Sequence, residues 1–181
     1  ALVELSIALE EAEQAVRAAP IDFVAWLPPQ IAFMRHPRSD PRPALLRLGN
    51  RQGKTTTGAA ELVYTCRGSG PYNTYKKAPA RCALVCMNMA QSVEIQRVIW
   101  EMVGGRDNRE LIAGTEFSSR TGFRGHRPVV EFKNGSSITI YANAQGAEAL
   151  AGAEYELILL DEPPSREVYN EAIKRVLNTG G

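Results

Sequence analysis

Leu2, Leu5, Leu9, Ala12 and Val16 recur at helical spacing among Glu4, Glu10, Glu11, Glu13 and Gln14, which predicts an amphipathic helix over residues 1–18 that ends near Pro20. Phe23, Trp26, Ile31, Phe33 and Met34 carry the apolar pattern on to residue 35, with Pro28-Pro29 restarting the chain, and fit a second short helix. His36 to Pro43 is a proline-rich connector. The apolar run Pro43 to Leu48 then predicts a short strand, and Thr55 to Val63 the start of a helix. After a break at Gly68 to Asn73 and an exposed segment at Tyr75-Lys76-Lys77, Cys82 to Met87 reads as a buried strand. Met89 to Val103 has a helical period and stops at Gly104-Gly105. Pro128 to Lys133 and Ser136 to Tyr141 flank Asn134-Gly135, a strong hairpin signal. Ala142 to Gly152 is a small-residue loop with Asn143, Gln145 and Glu148, and Tyr155 to Leu160 is a continuous apolar run of the kind buried on both faces of a parallel sheet.

Strand, helix, strand and helix in alternation argue for an α/β fold with a mainly parallel central sheet flanked by helices, to which the hairpin adds an antiparallel ribbon. Residues 1–42 are expected to form helices and a connector packing on a core of residues 43–181. The 181 residues, 44% of them hydrophobic, suffice for one globular domain and exclude a disordered chain. With a net charge of +1, nucleic-acid contact has to come from local patches. Arg106, Arg109, Arg120, Arg124, His126 and Arg127, interleaved with Phe117 and Phe123, form such a segment; it fits phosphate-backbone contact, a subunit interface or a solvated loop. Cys66, Cys82 and Cys86 lack zinc spacing and are odd in number, so buried reduced thiols are expected. No run reaches the ~18 apolar residues of a membrane span, and the expectation is a soluble, intracellular protein.

The glycine-punctuated turn Leu48-Gly49-Asn50-Arg51-Gln52-Gly53-Lys54-Thr55-Thr56 lies between the first strand and its helix, the setting of a phosphate-binding (Walker A) loop. Main-chain N–H groups of such a loop and the positive end of the helix converge on phosphate. Lys54 would reach the β- and γ-phosphates of ATP, and the Thr55 hydroxyl would hold Mg²⁺. The usual first glycine position is Leu48, with Gly49 one residue later, so the string also fits ordinary turn glycines beside a solvated lysine. Gln30 and Phe33, about twenty residues earlier, stand where helicase-like ATPases carry an adenine-reading glutamine.

The run Leu157-Ile158-Leu159-Leu160 ends in Asp161-Glu162 and then Pro163-Pro164. Ligands of open α/β sheets bind outside the carboxyl ends of the strands, which would bring Asp161 to the metal held by Thr55. Glu162, extended before a proline, is the candidate to orient or deprotonate the attacking water.

With both halves in place the chain resembles the ATPase domain of the large terminase subunit, the DNA-packaging motor of tailed bacteriophages. The resemblance rests on residues 48–56, on Ile138 to Gly146 with Leu150-Ala151-Gly152, and on Leu159 to Pro164 (Walker B). It implies a P-loop NTPase of the additional-strand, catalytic-glutamate type, assembling as a ring on the capsid portal in the host cytoplasm. Double-stranded DNA, the portal protein and the small terminase subunit would be its partners. It also implies that Arg51 contacts or senses the γ-phosphate and that Gln30 reads adenine, so that Gly49, Asn50, Arg51, Gln52, Gly53, Lys54, Thr55, Thr56 and Gln30 would line the nucleotide. Ala151 stands where the family often has an arginine acting on a neighbouring subunit's nucleotide. The family's coupling motif and metal-dependent nuclease domain are not found in residues 1–181, so no nuclease chemistry is assigned to them. Open alternatives are a helicase-like or recombination ATPase, and a nucleotide-binding assembly module with little turnover.

Overall fold

The computed structural model describes residues 2–36, 43–47, 52–72 and 77–177. In chain order the helices are α1 (Leu2–Ala18), α2 (Pro28–Met34), α3 (Lys54–Arg67), α4 (Met89–Met102) and α5 (Arg166–Leu177). The strands are β1 (Arg81–Cys86), β2 (Phe117–Ser118), β3 (Gly122–Phe123), β4 (Val129–Glu131), β5 (Ser137–Ala142) and β6 (Leu157–Leu160). The main sheet has the order β4-β5-β1-β6. β1 pairs in parallel with β5 on one side and β6 on the other, Leu84 standing opposite both Ile140 and Leu159. β4 alone is antiparallel, joined to β5 through the Asn134-Gly135 turn, where Gly135 takes φ 87°. The expected hairpin is therefore part of the sheet itself, since β5 is one of its central strands.

Alternation along the strands gives the sheet two apolar faces. Cys82, Leu84, Cys86, Ile138 and Ile140 bury against Leu62 and Val63 of α3 and Ile95 and Ile99 of α4. Ala83, Val85 and Tyr141 bury on the other face with Leu150, Tyr155 and the α5 residues Val168 and Ala172. Cys66, Cys82 and Cys86 are buried free thiols, as expected, and the Cys66 and Cys82 sulfurs stand 3.7 Å apart.

That sulfur contact also fixes the direction of α3. Cys66, near the end of the helix, meets Cys82 at the start of β1, and its carbonyl accepts the Ser136 hydroxyl just before β5 at 2.7 Å. The helix therefore runs antiparallel to the strands, and its first turn lies at their carboxyl ends.

Three expectations need correction. Residues 43–47 form no strand, and Leu45 is 77% exposed: a strand persists only where a neighbour takes its ladder bonds, and none of the described strands pairs with this run. β6 is an edge strand of the described sheet and is only half-buried, although α3 and α5 cover its two faces. The arginine-rich segment, for which a solvated loop is one of three expectations, contains the β2–β3 ribbon, whose Phe117 and Phe123 pack around Trp100 of α4.

Candidate functional site

Gly53 caps the start of α3 with φ 76°, the left-handed conformation that glycine adopts without a Cβ penalty. Its carbonyl accepts the Thr57 N–H at 2.9 Å and the Thr57 hydroxyl at 2.8 Å, so the first turn is held from within. Gly53 itself has no side chain to cap the helix, and the positive end of this 14-residue helix is the kind of place that attracts an anion. Lys54 and Gln52 are exposed beside it, and Thr55 and Thr56 are half-buried. Leu48, Gly49, Asn50 and Arg51 lie outside the described residues.

Gln30, third residue of α2, is buried against this turn. Its Oε1 accepts the Leu27 N–H at 2.8 Å, and its Nε2 stands 3.5 Å from the Gln52 and Gly53 carbonyls. A Cβ on Gly53 would come within 2.8 Å of that Nε2, so a larger residue would displace the Gln30 amide as well as strain the positive φ. The sequence therefore brings Gln30 to the loop across 23 residues of chain.

The other half stands at the carboxyl end of β6. The Asp161 N–H donates to the Val85 carbonyl at 3.0 Å, continuing the ladder to the last residue before the turn. Glu162 follows, exposed, before Pro163-Pro164. Partial burial raises the Asp161 carboxyl above the usual range, and the neighbouring Glu162 charge pushes it further. The thiol of Cys86, at the adjacent end of β1, is pushed up to about 12 by burial and then by the charges of Asp161 and Glu162.

Two contacts beyond the motifs hold this region together. Gly58 of α3 lies against Leu159 of β6, docking the helix that begins at Lys54 onto the strand that ends at Asp161. Beyond the prolines, the Ser165 N–H donates to Asn143 Oδ1 at 3.0 Å, and the Ser165 hydroxyl caps α5 through the Val168 N–H at 3.4 Å. Asn143 opens the turn after β5, so two loops at the carboxyl edge are tied on the far side of Glu162. The only sequence signal for Gly58 is a glycine inside a helical pattern, and for Asn143 an amide in a small-residue loop.

The residues suit a hard divalent cation. Thr55 and Asp161 offer oxygen donors, and Glu162 stands beside Asp161 in the chain. Among the described residues no group of three or more His, Cys, Asp or Glu could form an all-protein cage, so a bound metal would take further ligands from phosphate and water. Among the described residues no helix is long and apolar enough to cross a membrane.

A family model described as "Terminase large subunit, T4likevirus-type, N-terminal" matches residues 45–181, from the segment before the glycine turn through α5. No curated protein and no solved structure matches the chain.

Proposed function

Because the chain belongs to the T4likevirus-type terminase large subunit family, in its N-terminal part, we propose that it is the ATP-hydrolysing motor domain of a phage DNA-packaging machine. In this reading it drives double-stranded DNA into a procapsid, working as a ring on the portal protein with the small terminase subunit as a further partner. The observation that carries the reading is the docking of α3 on β6 through Gly58 and Leu159, which sets the helix start and the Asp161-Glu162 pair at one edge of the sheet.

The α3 N–H groups and Lys54 bind the triphosphate, with Gly49, Asn50 and Arg51 completing the loop. Gln30, already against Gln52 and Gly53, reads the adenine edge with its amide. Thr55 and Asp161 would hold Mg²⁺, which when bound neutralises charge on the phosphates. Glu162 accepts a hydrogen bond from the attacking water, orients it in line with the γ-phosphate and takes up its proton. Arg51 is the candidate to stabilise the charge that develops, since Ala151 supplies none from the loop after β5.

Steady-state ATP hydrolysis by Glu162→Gln, with and without duplex DNA, tests this mechanism. Glutamine keeps the shape and loses the base, so turnover should vanish while ATP binding persists. Wild-type turnover in the variant would remove Glu162 from the role.

A further inference from the structure

The described arginines differ in their partners, and two groups of four are informative. Arg17, Arg67, Arg97 and Arg175 are each paired with acids: Arg17 with Glu13, Arg67 with Asp22 and Glu110, Arg97 with Glu94 and Glu101, and Arg175 with Glu171. Arg106, Arg109, Arg120 and Arg124 are exposed and form no ion pair among the described residues. Two exposed acids, Asp107 and Glu116, share their segment, and Glu110 is taken by Arg67.

Three of these arginines belong to segments that pack on one side chain. Trp100, near the end of α4, stacks on Phe117 of β2 at 6.1 Å and meets Phe123 of β3 edge-on at 6.0 Å. Gly105 lies against the same indole, where an added Cβ would stand 3.5 Å from Nε1. Arg106 follows Gly105, Arg124 follows Phe123, and Arg120 sits in the turn of the ribbon with its N–H bonded to the Ser118 hydroxyl. The ribbon is pinned from beneath, because the Phe123 N–H donates to the buried Gln96 Oε1 at 2.8 Å. Beside it, the Lys133 ammonium donates to the Arg109 carbonyl, which adds another cation. Guanidinium groups held on a rigid base and left without acids suit phosphates, which they engage in bidentate fashion. The aromatic rings are occupied with one another, leaving no platform for bases.

We propose that the β2–β3 ribbon and the adjoining Arg106 turn form a docking surface for the phosphate backbone of duplex DNA, without sequence preference. The choice of duplex DNA as the polyanion rests on the packaging reading above. The surface lies at the far end of α4 from the nucleotide site: α4 starts beside the carboxyl end of β1 and, with 14 residues, carries the chain about 21 Å away. DNA and ATP would thus be held at opposite edges of one sheet.

The test is fluorescence anisotropy of two labelled duplexes of unrelated sequence over a salt series, with wild-type protein, the double variant Arg120→Ala/Arg124→Ala, and Arg97→Ala as a paired-arginine control. Wild type should bind both duplexes equally. The double variant should bind about tenfold or more weakly, with a slope of log K against log salt shallower by about 2, while the control follows wild type. Equal affinity and slope in the double variant would overturn the surface and leave the packaging reading standing, as would a preference for one sequence. Absence of DNA binding by wild type would also overturn it, and ATP titration of the same preparations then shows whether the nucleotide site stands independently.

Discussion

Gly58 of α3 and Leu159 of β6 approach so closely that a Cβ built on the glycine would stand 2.7 Å from the leucine Cδ2. This contact sets the spacing between the helix that starts at Lys54 and the strand that ends at Asp161. In Gly58→Ala a helix-propensity gain of about 1 kcal/mol opposes the crowding, because the leucine tip can turn aside. Gly58→Val adds two more methyl groups and should cost about 1–3 kcal/mol in denaturant unfolding. The valine variant should also bind ATP with Mg²⁺ more weakly. Wild-type stability in Gly58→Val would show that the helix and strand are not in contact.

Asn143 Oδ1 accepts the Ser165 N–H, three residues beyond Glu162, and under the proposed mechanism this tether would position the Glu162 carboxylate. Asn143→Ala leaves the segment after the two prolines without this tether. ATP affinity should stay near the wild-type value while turnover falls about 10- to 100-fold, the scale expected when a reacting group is displaced by about an ångström. Turnover equal to wild type, or affinity and turnover falling together, would argue against the role.

Cys66, Cys82 and Cys86 are at most 2% exposed, and the Cys86 thiol is pushed up to about 12 by burial and by the charges of Asp161 and Glu162. A thiol titrating that high stays protonated near neutral pH and is a poor nucleophile. The folded protein should therefore react with a disulfide reagent only at the rate of opening, and all three thiols should react promptly once it is denatured. Prompt native reaction would contradict the burial of β1 and the end of α3.

The sequence was most legible where one local signal decides the outcome. The run around Leu84 and Val85 is apolar without interruption and became the central strand β1; Asn134-Gly135 demanded a hairpin and made one; the run to Asp161 ended at its prolines. Signals that depend on a partner were opaque. The apolar residues of 43–47 read as a strand, but a sequence run does not say whether a neighbour accepts its hydrogen bonds. Leu5, Leu9 and Val16 define a helix, yet they are 68%, 60% and 42% exposed, because periodicity does not supply a surface to cover them. The β2–β3 ribbon has two residues a side and owes its place to Trp100 and Gln96, too far along the chain for any pattern to link. No element was expected at 166–177, where Val168 and Ala172 turn out to cover the second face of the sheet. The candidate site divides in the same way: Lys54, Thr55, Asp161 and Glu162 belong to motifs, whereas Gly58 and Asn143 matter only through what they touch.

The central claim is that the start of α3 and the end of β6 make one nucleotide site. Its most direct test is equilibrium titration of ATP, with and without Mg²⁺, against wild type, Lys54→Ala and Asp161→Asn. The account predicts saturable binding by wild type, a loss of affinity of about tenfold or more in Lys54→Ala whether or not metal is present, and in Asp161→Asn a loss confined to the Mg²⁺-dependent part. Equal affinity in all three proteins, or no binding by wild type, would contradict it.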